Sequence, residues 1–168
     1  YKWQTRVFYA YKDKDRNSEL FLNPPFDSPL YKDRIRLRRY LSCILRLLIN
    51  NKKIDCVISA GLFYNQDFDW GWAARNIASP YVVFHRENII GSKYKKIHNI
   101  GKAKLLKKIG FVGTSIVFHN KGMKDVFDKY SGVDADNIFA LGALRMDEFI
   151  RKSNSRNNLV NNKRITLF

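Results

Sequence analysis

The chain has 168 residues, of which 45% are hydrophobic and 14% aromatic, a composition that supports one globular domain and excludes a disordered one. Its 31 Lys+Arg against 15 Asp+Glu leave a net charge of +16, which draws polyanions without choosing among nucleic acid, anionic lipid and phosphorylated substrates. No uninterrupted apolar run approaches the roughly 20 residues a transmembrane helix requires, and the opening YKWQTR lacks the apolar core of a signal peptide.

The prolines of residues 23–29, NPPFDSP, predict a loop. The clearest helix follows over 31–49. Leu37, Leu41, Ile44, Leu45 and Leu48 fall on one face, and Lys32, Arg36, Arg39 and Arg46 on the other. Residues 54–60, IDCVISA, form a short β-branched run closed by Gly61. A helical rhythm over 66–79 turns Phe68, Trp72, Ala73 and Ile77 inward, and Pro80 ends it and opens a strand over 81–85. The basic stretch 93–108, KYKKIHNIGKAKLLKK, reads as a solvated loop and helix, with His98 in a basic loop. Residues 114–119 predict a buried strand, 121–130 a helix and 137–141 a strand closed by Gly142, before a short helix near 146–151.

Alternation of helices with continuously apolar strands is the pattern of a parallel sheet covered on both faces, so the expected fold is α/β: a Rossmann-like three-layer domain with a mostly parallel sheet. It is expected to span 1–152. The polar stretch within 153–163 reads as a linker, and KRITLF, residues 163–168, as the first strand of a further domain of a longer protein. Cys43 and Cys56 lie among apolar neighbours without metal-binding spacing and read as two reduced, buried thiols.

Ligands of such sheets bind outside the carboxyl ends of the strands, which directs attention to the segments that follow them. His85, Arg86, Glu87 and Asn88 are four polar side chains directly after a buried strand. A carboxylate between cations can act as a tuned acid or base, or orient a sugar hydroxyl, and the same cluster can equally fix the loop. Arg145 suits a bidentate contact with phosphate or carboxylate, and Asp147 suits a nucleophile or base; a carboxylate stabilised at a helix start is the alternative. His119 and Asn120 either contact ligand or cap the next helix. The aromatics of 61–69, GLFYNQDFD, suit stacking on sugar faces or core packing. Three histidines without supporting carboxylates argue against zinc, and neither a dinucleotide fingerprint nor a P-loop is present. With Tyr94 the only aromatic in the basic stretch 93–108, binding of single-stranded nucleic acid by stacking is poorly supported, whereas anionic lipid fits.

From about Ile54 to Asp147 the segments CVISAGLFYNQD, Ala73-Ala74 ahead of Pro80, YVVFHREN, His119-Asn120 and DNIFALGALRMDEF occur in an order that resembles the N-terminal domain of GT-B-type glycosyltransferases of bacterial surface carbohydrates. The capsule and lipopolysaccharide enzymes, including the Kdo-transferring group, are the most similar, and the last segment is similar to their I-x-x-x-G-x-x-R-x-D close. The resemblance implies one half of a GT-B enzyme. This domain would bind a glycan or lipid-linked acceptor, and a C-terminal domain would bind the nucleotide-sugar donor, with no metal or other cofactor. Asp147 and Glu87 would be catalytic, and His85, Arg86, Asn88, His119, Asn120 and Arg145 would position substrate. It also implies a cytoplasmic enzyme, peripheral on the inner face of the membrane and inactive as an isolated domain. A GT-B-like nucleotide-sugar epimerase and a basic nucleic-acid-binding domain are the alternatives.

Overall fold

The structure is a computed structural model that describes residues 22–51, 54–86, 93–142 and 151–152. Helix α1 (Pro29–Asn50) starts where Ser28 accepts a hydrogen bond from the Tyr31 amide at 3.1 Å. Pro29 is the first helical residue rather than the last of the loop, because at that position a missing N–H costs nothing. Strand β1 (Val57–Ser59) leads into α2 (Asn65–Asn76), and β2 (Tyr81–Phe84) into α3 (Lys93–Ile109). Strand β3 (Ser115–Phe118) leads into α4 (Lys121–Tyr130), and a 3-10 turn over Ala135–Asn137 into β4 (Ile138–Ala140).

The four strands are all parallel and lie in chain order, β1-β2-β3-β4. With the strands in chain order, the right-handed crossover usual for parallel strands, repeated in one direction, sets the connecting helices α2, α3 and α4 on one face. The register aligns Ser59 with Val83, Val83 with Ile116 and Ile116 with Ile138. This rung is buried, as are Tyr81 and Phe118 on the same face. On the other face Ile58 keeps 62% of its surface exposed and Phe139 keeps 40%. The chain therefore adopts the expected fold class, a Rossmann-like α/β domain with a parallel sheet.

Three sequence expectations are corrected. Cys43 and Cys56 are free thiols but exposed, not buried: a helix turns 100° per residue, which carries Cys43 round to the side of α1 occupied by Arg39 and Arg46. Residues 93–109 form one continuous helix with no loop, since Asn99, Ala103, Leu106 and Ile109 provide a buried stripe at helical spacing. The helix expected over 66–79 is also shorter, ending at Asn76 ahead of Ala78, whose φ of 55° lies in the left-handed region. The short helix near 146–151, apart from residue 151, and the linker over 153–163 with the strand after it lie outside the described residues.

Helix α1 reaches the sheet through α2, and the join is ionic. Asp69 of α2, fully buried, accepts from Arg34 Nε at 3.1 Å, Arg34 Nη2 at 2.9 Å and Arg38 Nε at 2.8 Å. Arg34 Nη1 donates to the Leu22 carbonyl at 3.1 Å, and the Arg38 guanidinium lies 4.9 Å from the centre of the Trp72 ring.

Candidate functional site

The ends of β1 and β2 hold the polar groups together. Backbone pairing runs past β2: the His85 amide donates to the Val117 carbonyl at 2.9 Å, and the Arg86 amide to the Ala60 carbonyl at 3.3 Å. These bonds fix the two side chains at the carboxyl edge of the sheet, where ligands of parallel sheets bind. Ser59 clamps the turn after β1, its hydroxyl donating to the Gly61 carbonyl at 2.9 Å and accepting from the Gly61 amide at 3.2 Å.

A cleft of about 330 Å³ opens at this edge. One wall is the turn Gly61, Leu62, Phe63 and Tyr64; the other is α3, through His98, Gly101, Lys102 and Leu105; His85 lies between them. The volume falls in the range of sites for small ligands. One cation, Lys102, lines the cleft, and a second, Arg86, stands against the Tyr64 ring. Lys102 Nζ stands 5.9 Å from the centre of the Phe63 ring, and the Arg86 guanidinium 5.7 Å from that of Tyr64, with Nη2 donating to the Tyr64 hydroxyl at 3.4 Å.

Beneath the turn lies Asp67, half-buried in α2. Burial pushes its carboxyl above the ordinary aspartate range, against the lowering pull of Ser59, the Arg86 charge and the Gly61 backbone. The Ser59 hydroxyl has one proton to share between the Gly61 carbonyl and this carboxyl. Tyr81 closes the group from below, donating to the Asp67 carbonyl at 2.6 Å, and burial pushes its phenol well above the ordinary range. A raised folded value means that the native state holds the Asp67 proton to higher pH than the unfolded chain. This group's contribution to stability is complete below the unfolded pKa and is lost as pH rises through the folded one. Relative to Asp67→Asn, the wild type is therefore expected to lose stability across that window. Urea unfolding at a series of pH values measures the difference, and parallel pH profiles would contradict it.

The residues proposed from sequence divide into three sets. His85 and Arg86 come together at the cleft, but His85 is only 2% exposed, set edge-on to Phe118 at 5.8 Å and to Phe63 at 6.3 Å. It shapes the floor with its ring. His119 and Asn120 follow β3, where Asn120 is the N-cap of α4 and accepts from the Met123 amide at 2.9 Å. Glu87, Asn88, Arg145 and Asp147 lie outside the described residues. Gly142, which closes the strand β4, has a φ of 87°, in the left-handed region that glycine adopts without strain.

Compared with known protein families, with curated proteins and with solved structures, the chain finds no match.

Lys102 and Asp67 are not among the residues expected at the site, whereas His98 is exposed as expected and borders the cleft. The spacing 98, 101, 102, 105 places four lining residues along one side of a helix, a signal that becomes readable once 93–109 is taken as helical. Among the described residues no group of three or more His, Cys, Asp or Glu gathers to hold a metal. Among the same residues no helix is long and apolar enough to cross a membrane.

Proposed function

We propose that this domain is the acceptor side of a glycosyltransferase of bacterial surface polysaccharide, taking sugar from a nucleotide-sugar donor to a glycan or lipid-linked acceptor without a metal. The observation that carries the reading is the cleft at the carboxyl edge of β1 and β2, lined by Phe63, Tyr64 and Lys102, with Arg86 against the Tyr64 ring. Aromatic faces take the C–H side of a sugar ring, and Arg86 and Lys102 provide the charge that a phosphate or carboxylate on the acceptor requires. Helix α3 and the turn after β1 bring these groups to one opening, so an acceptor held there is oriented before any donor arrives. His85, packed among rings, keeps Phe63 in place.

The roles proposed for Glu87 as acid or base, Asp147 as nucleophile or base, and Arg145 and Asn88 as positioning groups rest on the sequence: their places after strand ends and the family resemblance. The place of work, the cytoplasmic face of an anionic membrane, rests on the resemblance and on the basic blocks of the chain. Asp147→Ala in the enzyme is expected to abolish sugar transfer while circular dichroism stays that of the wild type. The assay follows labelled sugar from a pool of nucleotide sugars into an acceptor. Normal turnover by the variant overturns the assignment of Asp147. Release of free epimerised sugar, with no transfer, would identify an epimerase instead.

A further inference from the structure

Helix α3 walls the cleft on one side and carries a second, unlike surface on the other. Its seventeen residues, KYKKIHNIGKAKLLKKI, contain no acidic side chain. Turning 100° per residue, Ile97, Lys104 and Lys108 fall within about 40° of one another, with Lys96 and Lys107 to one side. Gly101, Leu105 and His98, which line the cleft, fall to the other side. Ile97 is 60% exposed, and Lys96, Lys104, Lys107 and Lys108 are exposed around it. Along about 25 Å of helix, an isoleucine stands among lysines, next to the mouth of the cleft.

From this arrangement we infer that α3 docks on an anionic lipid bilayer, with Ile97 entering the acyl boundary and the surrounding lysines on the headgroups. The charge alone fits any polyanion; Ile97 selects among them. An exposed branched apolar side chain within a basic helix face gains by burial at a bilayer interface, whereas a phosphate backbone offers it nothing. Docked so, α3 holds the cleft on its flank, beside the layer from which a lipid-linked acceptor is drawn, a consequence that rests on the glycosyltransferase reading. The docking itself does not.

Vesicle co-sedimentation of the full chain tests it, with phosphatidylglycerol in phosphatidylcholine against phosphatidylcholine alone. A neighbouring lysine strengthens binding about fivefold, so Lys96→Glu/Lys104→Glu is expected to weaken it roughly 25-fold or more. Ile97→Asp is expected to release the protein with its circular dichroism unchanged. Arg39→Glu/Arg46→Glu on the outer side of α1 serves as a control of equal charge, expected to leave most binding in place. Equal sedimentation with both vesicle types, or release by the α1 pair but not by the α3 variants, overturns the inference. So does a preference for oligonucleotides over anionic vesicles. Binding of a soluble phosphorylated hexosamine is followed alongside: vesicle binding through α3 without sugar binding sustains the docking and removes the glycosyltransferase reading. Sugar binding without vesicle binding does the reverse.

Discussion

Asp69→Ala is expected to cost about 3–5 kcal/mol of stability, read as a fall in the urea midpoint of the full chain. The whole stability of a domain is of order 5–15 kcal/mol, so the variant should be largely unfolded on modest warming. The cost does not come from the attraction lost. Arg34 and Arg38 are 1% and 4% exposed, and removing the carboxylate oxygen that both address takes a counter-charge from two buried guanidinium groups. The desolvation of those groups is then less well offset, and the packing of α1 on α2 weakens. Asp69→Asn keeps the shape and loses the charge, and is expected to fall nearly as far. Replacing all three charges together by Met, Met and Leu is expected to be far milder, because neither guanidinium is then left buried without Asp69. A single Asp69→Ala variant as stable as the wild type would mean that α1 is not held through this cluster.

The second large effect is at the cleft. Charge-assisted hydrogen bonds contribute about 1.5–3 kcal/mol each, so Lys102→Ala and Arg86→Ala are each expected to weaken binding of a phosphorylated sugar roughly 10- to 100-fold. Lys102→Glu should abolish it. Stability should hardly move, since Arg86 is exposed and Lys102 partly so. Phe63→Ala is the informative comparison. It removes the ring beneath Lys102 and beside His85, so it should weaken charged and uncharged sugars alike, whereas the cation variants act on the charged one. Isothermal titration at two salt concentrations separates the two contributions, because only the cation contacts are screened.

What is legible in the sequence follows from periods and caps. Helix α4 can be read with its true ends because Asn120 caps it and Met123, Val126 and Phe127 form a clean inner stripe. The strands are visible as runs rich in β-branched and aromatic residues, each one to four residues too long, since the expected runs take in flanking residues such as Asp55, His85 and His119. Arg34 and Arg38 are not legible as core residues. They share the inner face of α1 with Leu41 and Leu45, yet a buried arginine makes sense only beside its counter-charge, and Asp69 lies 35 residues away from Arg34. Helix α3 is half-hidden for a different reason: lysines outnumber the inward residues, so charge density masks the stripe of Asn99, Ala103, Leu106 and Ile109. With the helix go Lys102 and the wall of the cleft. His85 and Arg86 stand out because polar side chains just past a buried strand sit where the ligands of a parallel sheet bind. Burial of the His85 ring is not visible in the same way, since it depends on Phe63 and Phe118 from two further segments.

The central claim is that the cleft between the turn after β1 and helix α3 binds an anionic sugar. Its most direct test is a titration of the isotope-labelled full chain with a phosphorylated hexosamine, followed by amide and side-chain shifts. Saturable shifts are expected at Gly61, Phe63, Tyr64, Arg86, Gly101 and Lys102, lost in Lys102→Glu and weaker with the unphosphorylated sugar. Shifts confined to the outer side of α1, or none at the cleft at saturating sugar, would contradict it.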